Sequence, residues 1–168
     1  TRPTSTGECY GMAIADVNHD SLSDLLLGCS SGFEVWLNNG NYQFTFDSAY
    51  TFELVFGIEP VDLNNDGNID VVFEASAQLY SFLNDGNGHF TFQQIIAGDH
   101  PRNPLYTGDY DKDGDQDIFT FDAGGTTVLW YENVNAMFGA PHTIYQDPSI
   151  ILYTDGLTAD FNNDSAYE

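Results

Sequence analysis

Basic residues are nearly missing from this chain: 3 Lys+Arg face 26 Asp+Glu among 168 residues, a formal charge of −23. Phosphate backbones and anionic headgroups are gripped by clustered Lys and Arg, so no nucleic acid partner and no membrane-surface partner is expected. Long apolar runs are missing too. The longest stretches, such as 149–153, fall far short of the roughly 18 residues of a membrane span, so membrane insertion is not expected. Cysteine is scarce: Cys9 and Cys29 are too few for a disulfide-scaffold protein. No segment shows a convincing 3.6-residue apolar period, which removes the helical classes. The chain starts at Thr1 without a charged-then-apolar leader, which reads as a processed chain or a piece of a longer one. What is present, 42% hydrophobic and 15% aromatic residues, is too apolar for a solvated acidic tail, so the chain folds around a core of moderate size.

The dominant pattern is repetition. A nine-residue string occurs four times: DVNHDSLSD at 16–24, DLNNDGNID at 62–70, DYDKDGDQD at 109–117 and DFNNDSAYE at 160–168. The starts lie 46, 47 and 51 residues apart. A second string, WLNNGNYQF at 36–44, FLNDGNGHF at 82–90 and WYENVNAMF at 130–138, keeps nearly the same period. Two patterns with one period make a repeat protein. The single repeat domain divides into repeats at about 8–54, 55–101 and 102–152, with a partial fourth at 153–168.

Within a repeat the local signals are those of short strands bounded by Gly, Asn, Asp or Ser. The first repeat offers 12–15, 25–29, 33–37 and 42–46; the second 71–74, 78–83 and 90–96; the third 118–121, 127–131 and 137–145. Four antiparallel strands per repeat is the unit of a β-propeller blade, so the expected fold is all-β, with about three and a half blades. Trp36, Phe82 and Trp130 recur at one place in the second string and are expected to fill the space between adjacent blades. Seven blades would need roughly 330 residues, so these repeats are expected to belong to a larger propeller or to be completed by another copy.

The acidic strings carry carboxylates or amides at positions 1, 3, 5 and 9, and Gly or Ser at position 6. Alternate residues of a tightly curved loop face inward, so the first three converge while position 9 closes the shell from the next strand. Hard oxygen donors in that number suit Ca²⁺ better than Mg²⁺. Position 7, occupied by Leu22, Asn68, Asp115 and Ala166, shares no side-chain chemistry and would supply a backbone carbonyl. Ser21 and Ser165 replace the glycines Gly67 and Gly114, which weakens the first and fourth loops as candidates. Lys112 is expected to point outward. An EF-hand is excluded: its closing acid belongs at position 12, here Leu27, Phe73 or Thr120, and flanking helices are missing.

These loops, followed about twenty residues later by W/F-L-N-[ND]-G-N-x-x-F, resemble the FG-GAP or VCBS repeats of calcium-binding β-propellers, found in integrin α-subunit heads and many secreted bacterial proteins. Phe138-Gly139-Ala140-Pro141 spells the family's name motif. The resemblance spans essentially the whole chain. It implies that Asp16, Asn18, Asp20 and Asp24 ligate one ion; Asp62, Asn64, Asp66 and Asp70 a second; Asp109, Asp111, Asp113 and Asp117 a third; and Asp160, Asn162, Asp164 and Glu168 a fourth. The four loops hold 14 of the 26 acids, which would repel one another without cations. The third loop, with five acids, should bind most tightly. Loops of this kind fill at about 10⁻⁴ to 10⁻³ M calcium, which argues for an extracellular setting.

If Ala15 lies opposite Leu25, Cys9 and Cys29 come within about two residues of facing each other, so a disulfide is the expected state, with two buried thiols as the alternative. The sequon at Asn163 sits inside the fourth loop, where a glycan would compete with metal. Gly28-Cys29-Ser30-Ser31-Gly32 matches a nucleophile elbow on paper, but its turn enters a strand, so a hairpin turn is expected. His19, His89, His100 and His142 show no zinc spacing, and His19 and His89 read as surface residues. No catalytic residues are expected. The leading expectation is a calcium-stiffened module of a secreted or cell-surface protein that binds a protein or glycan in adhesion. The alternatives are a building block of an extracellular filament or surface assembly, with further copies of itself as partners, and a non-catalytic domain of a secreted polysaccharide-acting enzyme.

Overall fold

The computed structural model describes residues 7–98 and 105–149. The fourth acidic loop with Asp160, Asn162, Asp164, Ala166 and Glu168, the sequon at Asn163, and the partial repeat at 153–168 lie outside the described residues.

Turn-forming residues cut the chain into short extended segments, and each segment pairs with the next. The first sheet runs β1 (Cys9–Ala15), β2 (Asp24–Cys29), β3 (Gly32–Asn38) and β4 (Phe44–Thr51) in that order. The second runs β5 (Val55–Val61), β6 (Asp70–Ala75), β7 (Gln78–Asn84) and β8 (Phe90–Gly98). The third runs β9 (Tyr106–Gly108), β10 (Asp117–Phe121), β11 (Thr127–Tyr131) and β12 (His142–Gln146). All pairings are antiparallel, and no helix occurs among the described residues. This is the all-β, propeller-type architecture expected from the repeats.

The first strands of consecutive sheets lie beside one another, β1 next to β5 and β5 next to β9. The approach of β1 to β5 is close: a Cβ on Gly11 would lie 2.3 Å from the Phe56 carbonyl oxygen. Two buried clusters join the sheets. Between the first and second, Phe33 packs against Phe73 and Phe82 at ring-centroid distances of 5.1 and 5.9 Å. Between the second and third, Val72 and Leu79 meet Ile118, Tyr131 and Phe138. Every residue of β6 is buried, because the middle sheet is covered on both faces and so loses the polar alternation of a half-exposed strand. The outer face of the first sheet stays open, with Met12 66% and Ile14 60% exposed.

Several expectations need correction. Ala15 pairs with Asp24, not Leu25, and a bulge at Tyr10 then sets Cys9 opposite Cys29, where the two sulfurs are bonded. The fourth strand starts at Phe44, two residues later than expected, because Asn41 and Tyr42 form the preceding turn with φ of 51° and 60°. The expected strand 137–145 is interrupted; Phe138 makes an isolated bridge to Asn133, and regular pairing resumes at His142. Of the three aromatics expected between sheets, Phe82 lies in an inter-sheet cluster, Trp36 packs within its own sheet against Phe46 and Glu34, and Trp130 is out of register with both. Leu25 pairs with Trp36 and Val71 with Phe82, but Ile118 pairs with Tyr131. The β10–β11 hairpin is longer than the others, so the register moves by one and Tyr131 fills the inter-sheet position. Trp130 instead contacts Tyr110 and His142 on the opposite face. The Cys29–Gly32 segment is a two-residue hairpin between β2 and β3, as expected.

Candidate metal centres

Each acidic string connects the first and second strands of its sheet, and the described three share one geometry. At position 1, Asp16, Asp62 and Asp109 accept from the backbone N–H of position 6, namely Ser21 (2.9 Å), Gly67 (2.9 Å) and Gly114 (3.1 Å). At position 3, Asn18, Asn64 and Asp111 accept from the N–H of position 5 at 3.1 Å each. At position 5, Asp20, Asp66 and Asp113 accept from the N–H of position 7 at 2.8, 2.8 and 2.9 Å. These bonds wind each loop tightly, and in the third they gather the carboxylates of positions 1, 3 and 5.

The backbone supports the winding. Position 4 takes a left-handed conformation in His19, Asn65 and Lys112, and position 6 does so in Ser21, Gly67 and Gly114. Ser21, with φ 67°, adopts the same turn as the glycines, so the departure from glycine does not set the first loop apart. Lys112 is exposed. His19 is more than a surface residue: its Nε2 lies 2.7 Å from Asn68 Oδ1 in the next loop.

Position 9 is fully buried in Asp24, Asp70 and Asp117. One carboxylate oxygen of each accepts from the N–H of position 2: Val17, Leu63 and Tyr110 at 3.1, 2.9 and 3.1 Å. The other accepts at 2.8 Å from Asn38, Asn84 and Asn133, near the start of the turn that follows β3, β7 and β11. Burial raises the pKa of all three above the ordinary carboxylate value, against the lowering effect of those amides, and nearby loop carboxylates push the same way. For Asp70, with Asp66 and Asp62 close by, the result is about 6. A cation would reverse this, since an opposite charge favours the ionised form.

The partner asparagines escaped the sequence reading. Asn84 Nδ2 donates 2.8 Å to the Val17 carbonyl of the preceding sheet's loop, and Asn133 Nδ2 donates 2.8 Å to that of Leu63. Val17 and Leu63 are themselves buried in the inter-sheet cores. The signal was an Asn two residues after the aromatic that opens the second string; the longer third hairpin hid it by moving Asn133 out of line.

The donor set fits a hard divalent cation. In the third loop, oxygens of Asp109, Asp111 and Asp113 all lie within 4.8 Å of one another. Asp109 Oδ1 is buried and has no hydrogen-bond partner, a costly condition for a carboxylate oxygen unless a cation meets it. Side-chain oxygens from positions 1, 3 and 5 and a carbonyl from position 7 would make four donors, and a position 9 carboxylate bound through both oxygens would bring them to six, the lower end of what Ca²⁺ accepts.

Two comparisons bear on these loops. A family model described as FG-GAP-like repeat matches residues 16–73 and again 62–120. Each match begins at position 1 of one acidic loop and ends in the strand after the next. Among solved structures, a fungal protein is similar, described as an Agrocybe aegerita lectin in a study of specific recognition of non-reducing terminal N-acetylglucosamine. It aligns with a TM-score of 0.59 at 25% identity, covering 81% of this chain and 38% of that one. The chain therefore spans well under half the length of that lectin. No curated protein matches.

Proposed function

The chain belongs to the FG-GAP-like repeat family, and from that premise we propose that it is a glycan-binding β-propeller repeat module of a secreted or cell-surface protein, stiffened by calcium in its acidic loops. The main support is the likeness to a lectin across 81% of the chain. The Cys9–Cys29 bond agrees with an oxidising compartment.

Asp16, Asn18, Asp20 and Asp24 would hold one ion, the four equivalent residues from Asp62 and from Asp109 the next two, and the carbonyls of Leu22, Asn68 and Asp115 would complete the shells. Calcium, when bound, supplies positive charge that neutralises the converging carboxylates and ties the two ends of each loop together. The chain's own contribution is position 9, which anchors the loop to the turn after the third strand through two backbone amides.

A sugar surface is available at the β3–β4 turn. A cleft of about 400 Å³ there is lined by Asn38, Gly40, Asn41, Tyr42 and Phe44. Tyr42 holds a left-handed backbone (φ 60°) and is 97% exposed. At the same place in the third sheet stands Ala136, 2% exposed. An aromatic ring displayed at a conformational cost, beside the exposed Asn41 amide, suits a pyranose: the ring takes the apolar sugar face and the amide reads a hydroxyl, while the Asn38 amide is bound to Ser23 and Gly40 and holds the turn. The test is calorimetric titration with N-acetylglucosamine-terminated oligosaccharides and with oligosaccharides of other terminal sugars. Binding is expected, and Tyr42→Ala should weaken it about tenfold without lowering thermal stability. No binding to any terminal sugar by the unsubstituted protein would refute the proposal.

A further inference from the structure

We infer that position 4 of the first and second acidic loops is a positioning residue for the cation site of the next blade: His19 for the second site and Asn65 for the third. This inference rests on the calcium reading of the loops.

Asn65 Nδ2 donates 2.6 Å to Asp115 Oδ1 and 3.2 Å to the Gly114 carbonyl, crossing from the second sheet's loop to positions 7 and 6 of the third. His19 Nε2 makes the equivalent contact, 2.7 Å to Asn68 Oδ1 at position 7 of the second loop. The same connection thus recurs at two successive junctions, built from two different side chains. It bears on the residue whose carbonyl is the expected ligand. Asp115 is held from three directions: by Asn65, by the Asn135 N–H at 3.3 Å, and through its own N–H to Asp113 Oδ1 at 2.9 Å. With that side chain and the loop backbone pinned, the position 7 carbonyl is oriented before any ion arrives, which lowers the ordering cost of binding. The relation runs one way, because position 4 projects forward to the next blade. In the first loop position 7 is Leu22, which has no polar side-chain atom to be held.

The test is calcium titration followed by amide NMR of Gly67 and Gly114, whose N–H groups bond Asp62 and Asp109 and so report the second and third sites separately. Asn65→Gly removes the amide and tolerates φ 57° at that position. It removes both hydrogen bonds of that amide and should weaken the Gly114 transition by about fivefold or more, while leaving the Gly67 transition within about twofold. Asn65→His, the side chain used at the first junction, should restore the third site. In chelator, the Asp115 amide should exchange faster in Asn65→Gly than in the unsubstituted protein, a readout independent of metal. An unchanged Gly114 transition, equal weakening of both transitions, or unchanged exchange at Asp115 would overturn the inference. If neither glycine responds to calcium in the unsubstituted chain, the metal reading itself fails and this inference with it.

Discussion

Asp24, Asp70 and Asp117 each receive two backbone amides from segments far apart in sequence. The position 9 carboxylate is therefore a pin between the loop and the turn after the third strand. Asp70→Asn tests the pin. The amide keeps the shape but turns an NH₂ toward either the Leu63 or the Asn84 N–H, leaving a buried donor unmet. A loss of about 1–3 kcal/mol is expected in urea unfolding, in chelator as well as in calcium. If the chelated variant unfolds at the same denaturant concentration as the parent, these bonds carry no weight. The acids themselves were legible in the sequence because four copies stand at fixed positions. Their position 2 partners, Val17, Leu63 and Tyr110, were not, since a backbone N–H has no residue signature, and the recurring partner asparagine was hidden by the longer third hairpin.

Strands and turns set where the loops stand. The first hairpin is closed at its far end by the Cys9–Cys29 bond, with 20 residues of separation and the whole first loop between them. Replacing both cysteines with serine should lower stability by about 3 kcal/mol, by the entropy of a closed loop of that size. Fluorescence-monitored denaturation checks this; a difference below about 1 kcal/mol would mean that pairing of β1 with β2 already confines that segment. At this scale most strands were readable from alternation and turn residues, but β5 and β9 were not. β5 is broken as a pattern by Gly57 and Pro60, and β9 has only three residues; both depend on pairing with β6 and β10 for their extended form. The Trp130 misalignment had a similar cause: hairpin length is set by turn geometry, and a string match cannot see two added residues.

Across the whole molecule, three buried acids share one response to pH. A carboxyl whose folded pKa is raised stabilises the fold while protonated, and that contribution fades as pH rises through the folded value. In chelator, thermal stability should therefore fall as pH rises from about 4 through about 6, the value for Asp70. On the proposed calcium reading the ion takes the place of the proton, so in millimolar calcium the fall should be absent and the two curves should separate with rising pH, by roughly 5 °C or more at pH 7. Differential scanning calorimetry at several pH values measures this; superimposable curves at neutral pH would contradict calcium binding. The burial of Val17 and Leu63 beneath the following sheet also sets where a unit of this protein begins. Because each blade owns a residue of its predecessor's loop, the exchangeable piece is staggered against the four-stranded sheet. A graft or duplication cut at sheet borders would leave one empty socket and one stranded plug, whereas a cut carrying the preceding acidic loop along would transplant a complete joint.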